Sequence, residues 1–287
     1  VERVDAVILL TGHEGFIGKS LRYHQPNVEW TVTDLDVTTT EFRVAVDNMS
    51  NIEAIIHCAG NSIVSVCETN PMGAFLSNTL ATASVLESAR GLGVPVIVLE
   101  SDKVYGAQSL KPLTETAPLN GFSPYEKSKV LAAELCDFYR DYYGMNVISL
   151  RLTNTYGPHD NNLTRLIPGT IDRLRRGEAP MIWAGSEDMR RDYMWIGDLC
   201  EVIMAFARRE NLAGAYNVTS EENYSTREVI DIIQEEMGTA LPILNREKEF
   251  TEIPYQRMDG GKLRKDLGFG PSTKLREGIR KMLDLYG

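Results

Sequence analysis

The sequence predicts a doubly wound α/β fold with a smaller C-terminal α/β cap. Three observations carry that reading. A continuous apolar run, Ala6 to Leu10, leads through a glycine-spaced turn into a helical stretch ending near Tyr23. Further apolar runs (29–33, 54–58, 94–99, 147–151) alternate with helical patterns, as the strands of a buried parallel sheet do. After Asn154, Gly and Pro punctuate more often and the alternation breaks. Residues 1–153 therefore form one unit and 154–287 mainly a cap, with the chain able to cross back between them.

Each element has its own signals. The turn after the first strand reads Thr11-Gly12-His13-Glu14-Gly15-Phe16-Ile17-Gly18. Gly12 permits a tight turn, Gly15 lets the backbone approach a diphosphate, and Gly18 allows close helix–strand packing. Phe16 and Ile17 open the helix whose N-terminus attracts the anion. This makes the first unit Rossmann-like. The second strand delivers Asp34, placed to bond the adenosine ribose and to repel a 2′-phosphate, which favours NAD over NADP. A short helix follows (40–48), then a strand delivering Ala59-Gly60 to the sheet edge where such folds bind ligands. Asn70-Pro71 opens a helix running to about Arg90 that carries Asn78. The 94–99 strand delivers Ser101-Asp102-Lys103 to the same rim.

The most informative stretch is Ser123-Pro124-Tyr125-Glu126-Lys127-Ser128-Lys129. Ser123 caps a helix, Pro124 sits at its first position, and Glu126 completes a capping box. Tyr125 and Lys129 are four apart and share a face. An ammonium beside a phenol favours the phenolate, so the Tyr125 pKa is expected to fall. In the second half, helices are expected over 170–176, 196–208 and 226–237, with short strands at 181–183 and 215–218. Two short helices should flank Gly268-Phe269-Gly270-Pro271.

Composition excludes several classes. At 43% hydrophobic and 24% charged the chain is neither disordered nor fibrous. A net charge of −10 argues against a nucleic-acid surface. Cys58, Cys67, Cys136 and Cys200 are scattered without CxxC, and the histidines show no metal spacing, so reduced thiols and no metal are expected. No apolar run has the length of a membrane span, and Val7-Ile8-Leu9-Leu10 is too short for a signal core. A cytoplasmic location is the expectation.

Taken together, TGHEGFIG (11–18), HCAGN (57–61), SDKVYG (101–106), SPYEKSK (123–129), NTYGP (154–158) and RRDYMWIGDL (190–199) resemble the extended short-chain dehydrogenase/reductase family. The resemblance is to its nucleotide-sugar epimerase/dehydratase branch, in order and over nearly the whole chain. It implies that Ser101 binds the sugar 4-hydroxyl, that Tyr125 is the base, and that Lys129 holds the nicotinamide ribose and tunes Tyr125. It implies cofactor contacts at Asn78, Ala59 and Gly60, and substrate contacts at Asn61, Asn154 and Arg191, with Arg191 on the diphosphate. The alternative for Arg191 is a surface arginine paired with Asp192. Only 23 residues separate Asp34 from His57, short for this family. A strand or helix of the adenine side is therefore trimmed, and Asp36 and Val37 are expected to supply adenine contacts.

Asp102 and Lys103 decide the subclass. The pair resembles the Asp-Lys of CDP-glucose 4,6-dehydratases, where an acid and a base assist loss of water. The alternative is that Asp102 caps a turn and Lys103 reaches solvent or a phosphate, as in a 4-epimerase. Either reaction uses NAD and a nucleotide-diphosphate sugar and passes through a transient 4-keto sugar. An NAD(P)H-dependent 4-keto-sugar reductase and a non-catalytic dinucleotide sensor are the other readings. The helices at 71–90 and 124–143 carry apolar residues on more than one face (Leu131, Leu135, Phe138, Tyr142), and the resemblance implies a homodimer through them.

Overall fold

A computed structural model describes residues 7–107, 111–209, 211–247 and 253–286. The first half runs β1 (Val7–Thr11), α1 (Phe16–His24), β2 (Glu29–Val32), α2 (Thr40–Asp47), β3 (Ile52–His57), α3 (Val64–Thr69) and α4 (Pro71–Ala74). A π-helical segment (Phe75–Leu80) passes into α5 (Ala81–Leu92), then come β4 (Val96–Ser101) and a 3₁₀ turn (Asp102–Tyr105). Helix α6 (Pro124–Tyr143) and β5 (Val147–Leu152) complete it.

The second half contains β6 (Asn154–Tyr156), α7 (Leu166–Arg175), β7 (Met181–Trp183), β8 (Arg190–Trp195), α8 (Ile196–Ala207) and β9 (Gly214–Val218). It continues with β10 (Asn223–Ser225), α9 (Thr226–Glu236), β11 (Leu244–Arg246), α10 (Gly261–Leu267) and α11 (Leu275–Tyr286).

Six parallel strands form the central sheet in the order β2-β1-β3-β4-β5-β9. Strand alternation feeds two cores. Ile8, Leu10, Ile56, Ile97 and Ile148 face Leu21 of α1 and Leu199 and Ile203 of α8. Leu9, Ile55, Val96, Val98 and Val147 face Phe42 of α2, Val85 of α5 and Cys136 of α6. Both faces of the sheet are thus covered, which is why its strands read as unbroken apolar runs. Strand β9 and helix α8 come from the second half of the chain yet build this sheet and its cover. Beside it, β10-β8-β6 form a three-stranded sheet and β11-β7 a pair.

The sheet ends at β2, and only α2 lies between β2 and β3. The 34–57 stretch thus holds one helix and one strand, and β2 is the edge of the sheet. Helix α6 has the expected bounds and capping box: Ser123 Oγ accepts from Glu126 N (3.4 Å) and Glu126 Oε2 from Ser123 N (3.1 Å). Helix α9 repeats the device with Ser225 and Glu228. The sequence pattern merged 71–90 into one helix, but the chain there passes through the π turn, and it gave no sign of α3.

At the rim, the Thr11 hydroxyl lies 2.7 Å from His57 Nδ1, tying β1 to β3. Burial holds this imidazole neutral, pushing its pKa down from 6.5 to about 3. The unfolded chain binds the extra proton between those values, so stability should fall as pH drops from 6.5 towards 3. Urea titrations across that window should show a flatter acid dependence in His57→Gln than in the parent.

Candidate active site

Backbone geometry builds the cleft first. After β1 the chain turns through Gly12, whose φ of +69° is left-handed. A Cβ there would lie 2.5 Å from the Ala59 nitrogen, so glycine alone lets the ends of β1 and β3 close together. Gly15 N donates to the Gly12 carbonyl (3.0 Å), and no side chain caps α1. Its first-turn N–H groups are left for an anion. A Cβ on Gly18 would lie 2.3 Å from the Gly12 oxygen, so glycine here lets α1 pack closely on the turn. Phe16 and Ile17 send their side chains to the main core, so what they offer the cleft is backbone N–H.

A cavity of about 640 Å³ opens at this turn, with Asp34, Asp36 and Val37 on one wall and Ala59, Gly60 and Asn61 on the other. The glycine turn with the free N–H groups of α1 at one end, and the acidic wall at Asp34, suit a dinucleotide's diphosphate and ribose. Asp34 stands exposed at its edge, 3.5 Å from His13 Nε2. The Asp36 carboxylate accepts from Thr38 N (2.9 Å) and Thr38 Oγ1 (2.8 Å), which hold its pKa below the usual range. Val37 is an apolar wall, 8% exposed. Asn78 is buried. It accepts from Asn61 N (2.8 Å) and donates to Asn61 O (3.0 Å) and Ser128 Oγ (2.9 Å). These bonds pin the Asn61 loop to α6.

The residues expected to be catalytic lie around the C-terminal end of β4. Ser101 caps the 3₁₀ turn, accepting from Lys103 N (3.2 Å) and donating to Asp102 Oδ1 (3.2 Å), and it hydrogen-bonds the Tyr125 phenol. Tyr125 is buried against Cys67 and Ala74. Burial pushes its pKa up to about 12, against the pull of Ser101 and the Arg165 guanidinium. This corrects the expectation of a lowered phenol: Lys129 donates instead to the Leu99 carbonyl (3.0 Å), and desolvation prevails. Lys129 is itself lowered by burial.

Asp102 is buried, and burial raises its pKa against the opposing charges of Lys103 and Arg191. Gln256 Nε2 donates to the Asp102 carbonyl (2.6 Å), tying the turn to the cap. Arg191 is 6% exposed and donates to the carbonyls of Arg190 (2.8 Å) and Ile253. It is not a surface arginine paired with Asp192, whose carboxylate accepts from Thr219 Oγ1 (2.8 Å) and Asn223 Nδ2 (3.0 Å). Asn154 lies opposite Tyr193 on the neighbouring strand and donates to the Asp192 carbonyl (3.5 Å).

Sequence reasoning missed two participants. Arg165, ion-paired to Asp160 (2.9 Å), acts on Tyr125 from the start of α7. Gln256 reaches Asp102 across 154 residues of chain, where no local pattern can signal it.

A family model, that of the NAD dependent epimerase/dehydratase family, matches residues 8–219. The chain belongs to that family. A UDP-glucose 4-epimerase of Mycolicibacterium smegmatis is 28% identical over 241 residues, covering 82% of this chain and 76% of the relative. A dTDP-glucose 4,6-dehydratase of Mycobacterium tuberculosis is 24% identical over 318 residues, covering 97% and 92%. The solved structure of a Thermus thermophilus UDP-glucose 4-epimerase in complex with NAD superposes with a TM-score of 0.88 at 26% identity, covering 97% and 98%.

NAD is the cofactor of the family, and the glycine turn, the Asp34 wall and the Ala59-Gly60 edge are the residues that would hold it. The carboxylates of Glu14, Asp34 and Asp36 line the cleft, and no lysine or arginine is among its described lining residues. Glu14 is ion-paired with Lys19 and Arg22, but Asp34 and Asp36 would set negative charge against a 2′-phosphate there. Isothermal titration of Asp34→Ala should show the preference for NAD over NADP reduced by about tenfold or more, roughly 1.4 kcal/mol.

Proposed function

We propose that the protein is a nucleotide-sugar 4,6-dehydratase that works through a transient 4-keto sugar. The observation that carries this is Asp102: a buried carboxyl, raised by burial, bonded to Ser101 beside Tyr125. A simple 4-epimerase needs the serine, tyrosine and lysine but has no use for a second acid at that point.

Held by the glycine turn, Asp34 and the Ala59-Gly60 edge, NAD would supply a reversible hydride acceptor for C4. Ser101 holds the sugar 4-hydroxyl, and Tyr125 takes its proton as the carbonyl forms. Asp102 protonates the departing 6-hydroxyl, and Lys103 on the same turn removes the C5 proton. Ketone formation at C4 acidifies C5, which is why oxidation precedes elimination. Arg191, on β8 beside the turn, offers a guanidinium to the substrate diphosphate, and Asn61 and Asn154 flank the sugar. The similarity to 4-epimerases supports a second reading, in which the same first step is followed by rotation of the keto sugar and Asp102 is structural.

Incubation with NAD and UDP-, TDP-, GDP- and CDP-hexoses in heavy water separates the readings by mass spectrometry. Loss of water with deuterium at C5 is the expected result. An unchanged formula with a new stereoisomer and no deuterium would establish the epimerase. Stoichiometric consumption of NADH would establish a reductase instead. Tyr125→Phe should fold normally and lose at least about 100-fold in turnover, while Asp102→Asn should block elimination but leave oxidation at C4 detectable.

The exposed stripe Met72, Leu76 and Leu80, with Phe138 and Tyr142 on α6, supports a homodimer through these helices. Light scattering at micromolar concentration should return twice the 32.1 kDa chain mass. No described helix is long and apolar enough to cross a membrane. Four free thiols fit a cytoplasmic enzyme.

A further inference from the structure

The 3₁₀ turn that carries Asp102 and Lys103 is short, and its own hydrogen bonds give it little rigidity. Ser101 Oγ accepts from Lys103 N at its start, and Gly106 N donates to the Lys103 carbonyl (3.1 Å) at its end. Its other anchors come from elsewhere in the chain. Gln256 holds the Asp102 carbonyl, and Gly121 N donates to the Val104 carbonyl (3.0 Å). The turn closes on Tyr105, a fully buried residue whose hydroxyl is engaged on both sides. It donates to Asn217 Oδ1 (2.6 Å) and accepts from Arg151 Nη1 (2.9 Å).

Both partners are junctions. Arg151 stands opposite Glu100 in the β4–β5 register, and its Nε donates to Glu100 Oε2 (3.2 Å). Its Nη1 also reaches the Glu115 carbonyl (2.9 Å). Asn217, on β9, is fully buried. Its Nδ2 donates to the carbonyls of Leu113 (2.8 Å) and Asp259 (3.2 Å), and its backbone N donates to Glu115 Oε1 (2.9 Å). Segment 256–259 thus grips the turn at both ends. Gln256 holds Asp102, and the Asp259 carbonyl holds the Asn217 amide that receives the Tyr105 hydroxyl.

A phenylalanine ring would fill the same space among Val104, Leu113, Val130 and Met258. Buried polar groups add little stability over apolar groups of the same shape. What the hydroxyl adds is direction, because a hydrogen bond fixes distance and angle where apolar packing fixes volume. We propose that Tyr105 is a positioning residue: through Arg151 and Asn217 its phenol sets the place of the turn, and so of Asp102 and Lys103 relative to Ser101 and Tyr125. It touches neither substrate nor cofactor. Its effect on elimination rests on the dehydratase reading of Asp102 and Lys103, whereas its effect on the turn is measurable without substrate.

The test is hydrogen–deuterium exchange of the full chain, read by mass spectrometry on the parent and on Tyr105→Phe. Amides of the 101–107 peptide should exchange about three- to tenfold faster in the variant, the loss of one net hydrogen bond. Peptides from β5 and the body of α6 should exchange as in the parent, because the apolar shell is intact. Replacing Tyr105 by 4-aminophenylalanine, which returns a donor to Asn217, should restore protection. Asn217→Ser removes the acceptor and leaves the phenol on Arg151; it should loosen the same peptide, and it serves if Tyr105→Phe does not fold. Unchanged exchange at the turn in a folded variant, or faster exchange spread evenly over all peptides, would overturn the proposal. With a nucleotide sugar that the parent dehydrates, Tyr105→Phe should slow loss of water by about tenfold while C4 oxidation keeps its rate, so that reduced cofactor accumulates. Equal slowing of both steps would also overturn it. A loosened turn in a protein that dehydrates no nucleotide sugar would uphold the positioning role and reject the dehydratase.

Discussion

Everything at this rim depends on how closely β1 and β3 approach at their C-terminal ends. No Cβ fits between Gly12 and the Ala59 backbone, and Thr11 is bonded to His57 just beneath. That contact sets the floor of the cleft. It aims the start of α1 at the place where phosphates must lie, and it sets Gly60 and Asn61 against the amide of Asn78. Asn78 in turn holds Ser128, one residue from Lys129 and three from Tyr125. A tight backbone crossing in the first 60 residues is thus continuous with the first turns of α6.

The second constraint is desolvation. Tyr125 and Asp102 are raised and Lys129 lowered by the same cause, removal of water from the end of β4. Each group is thereby moved towards its neutral form. Such groups oppose folding unless hydrogen-bonded. The structure meets this with Ser101, which bonds Asp102 and Tyr125, and with the Leu99 carbonyl, which accepts from Lys129. Asp192 does the corresponding work in the second half. It gathers Thr219, Asn223 and Met258 N so that segments far apart in sequence arrive together beside the 3₁₀ turn.

Local chemistry was legible in the sequence; long-range electrostatics was not. The capping box of α6, the glycine turn and the bounds of most central strands all follow from short patterns. Chemistry-bearing residues named from those patterns (Ser101, Asp102, Tyr125, Lys129) do converge at one rim. The direction of the Tyr125 shift did not follow, because i, i+4 spacing specifies a shared face but says nothing about what covers it. Arg165 and Gln256 escaped notice for the same reason: their partners are distant in sequence. The bonds of Asn78 to Asn61 and Ser128 were likewise beyond any local pattern, both partners lying far off in sequence. Helix α3 and the π turn lay in a stretch where apolar spacing fits a continuous helix almost as well.

That π turn bears on how the chain tolerates change. Residues 75–80 hold a widened turn in the middle of an otherwise regular rod, and Asn78 is its buried member. A widened turn of this kind is equivalent to one residue inserted into an α-helix. Because the widened turn absorbs that extra residue, excising one from 75–80 would return the rod to ordinary winding with its two ends still roughly in phase. Val85 and Leu86 would keep their places in the core. What would be lost is the bulge that carries Asn78 between Asn61 and Ser128. A one-codon deletion here would spare the hydrophobic interior and act on the cleft alone.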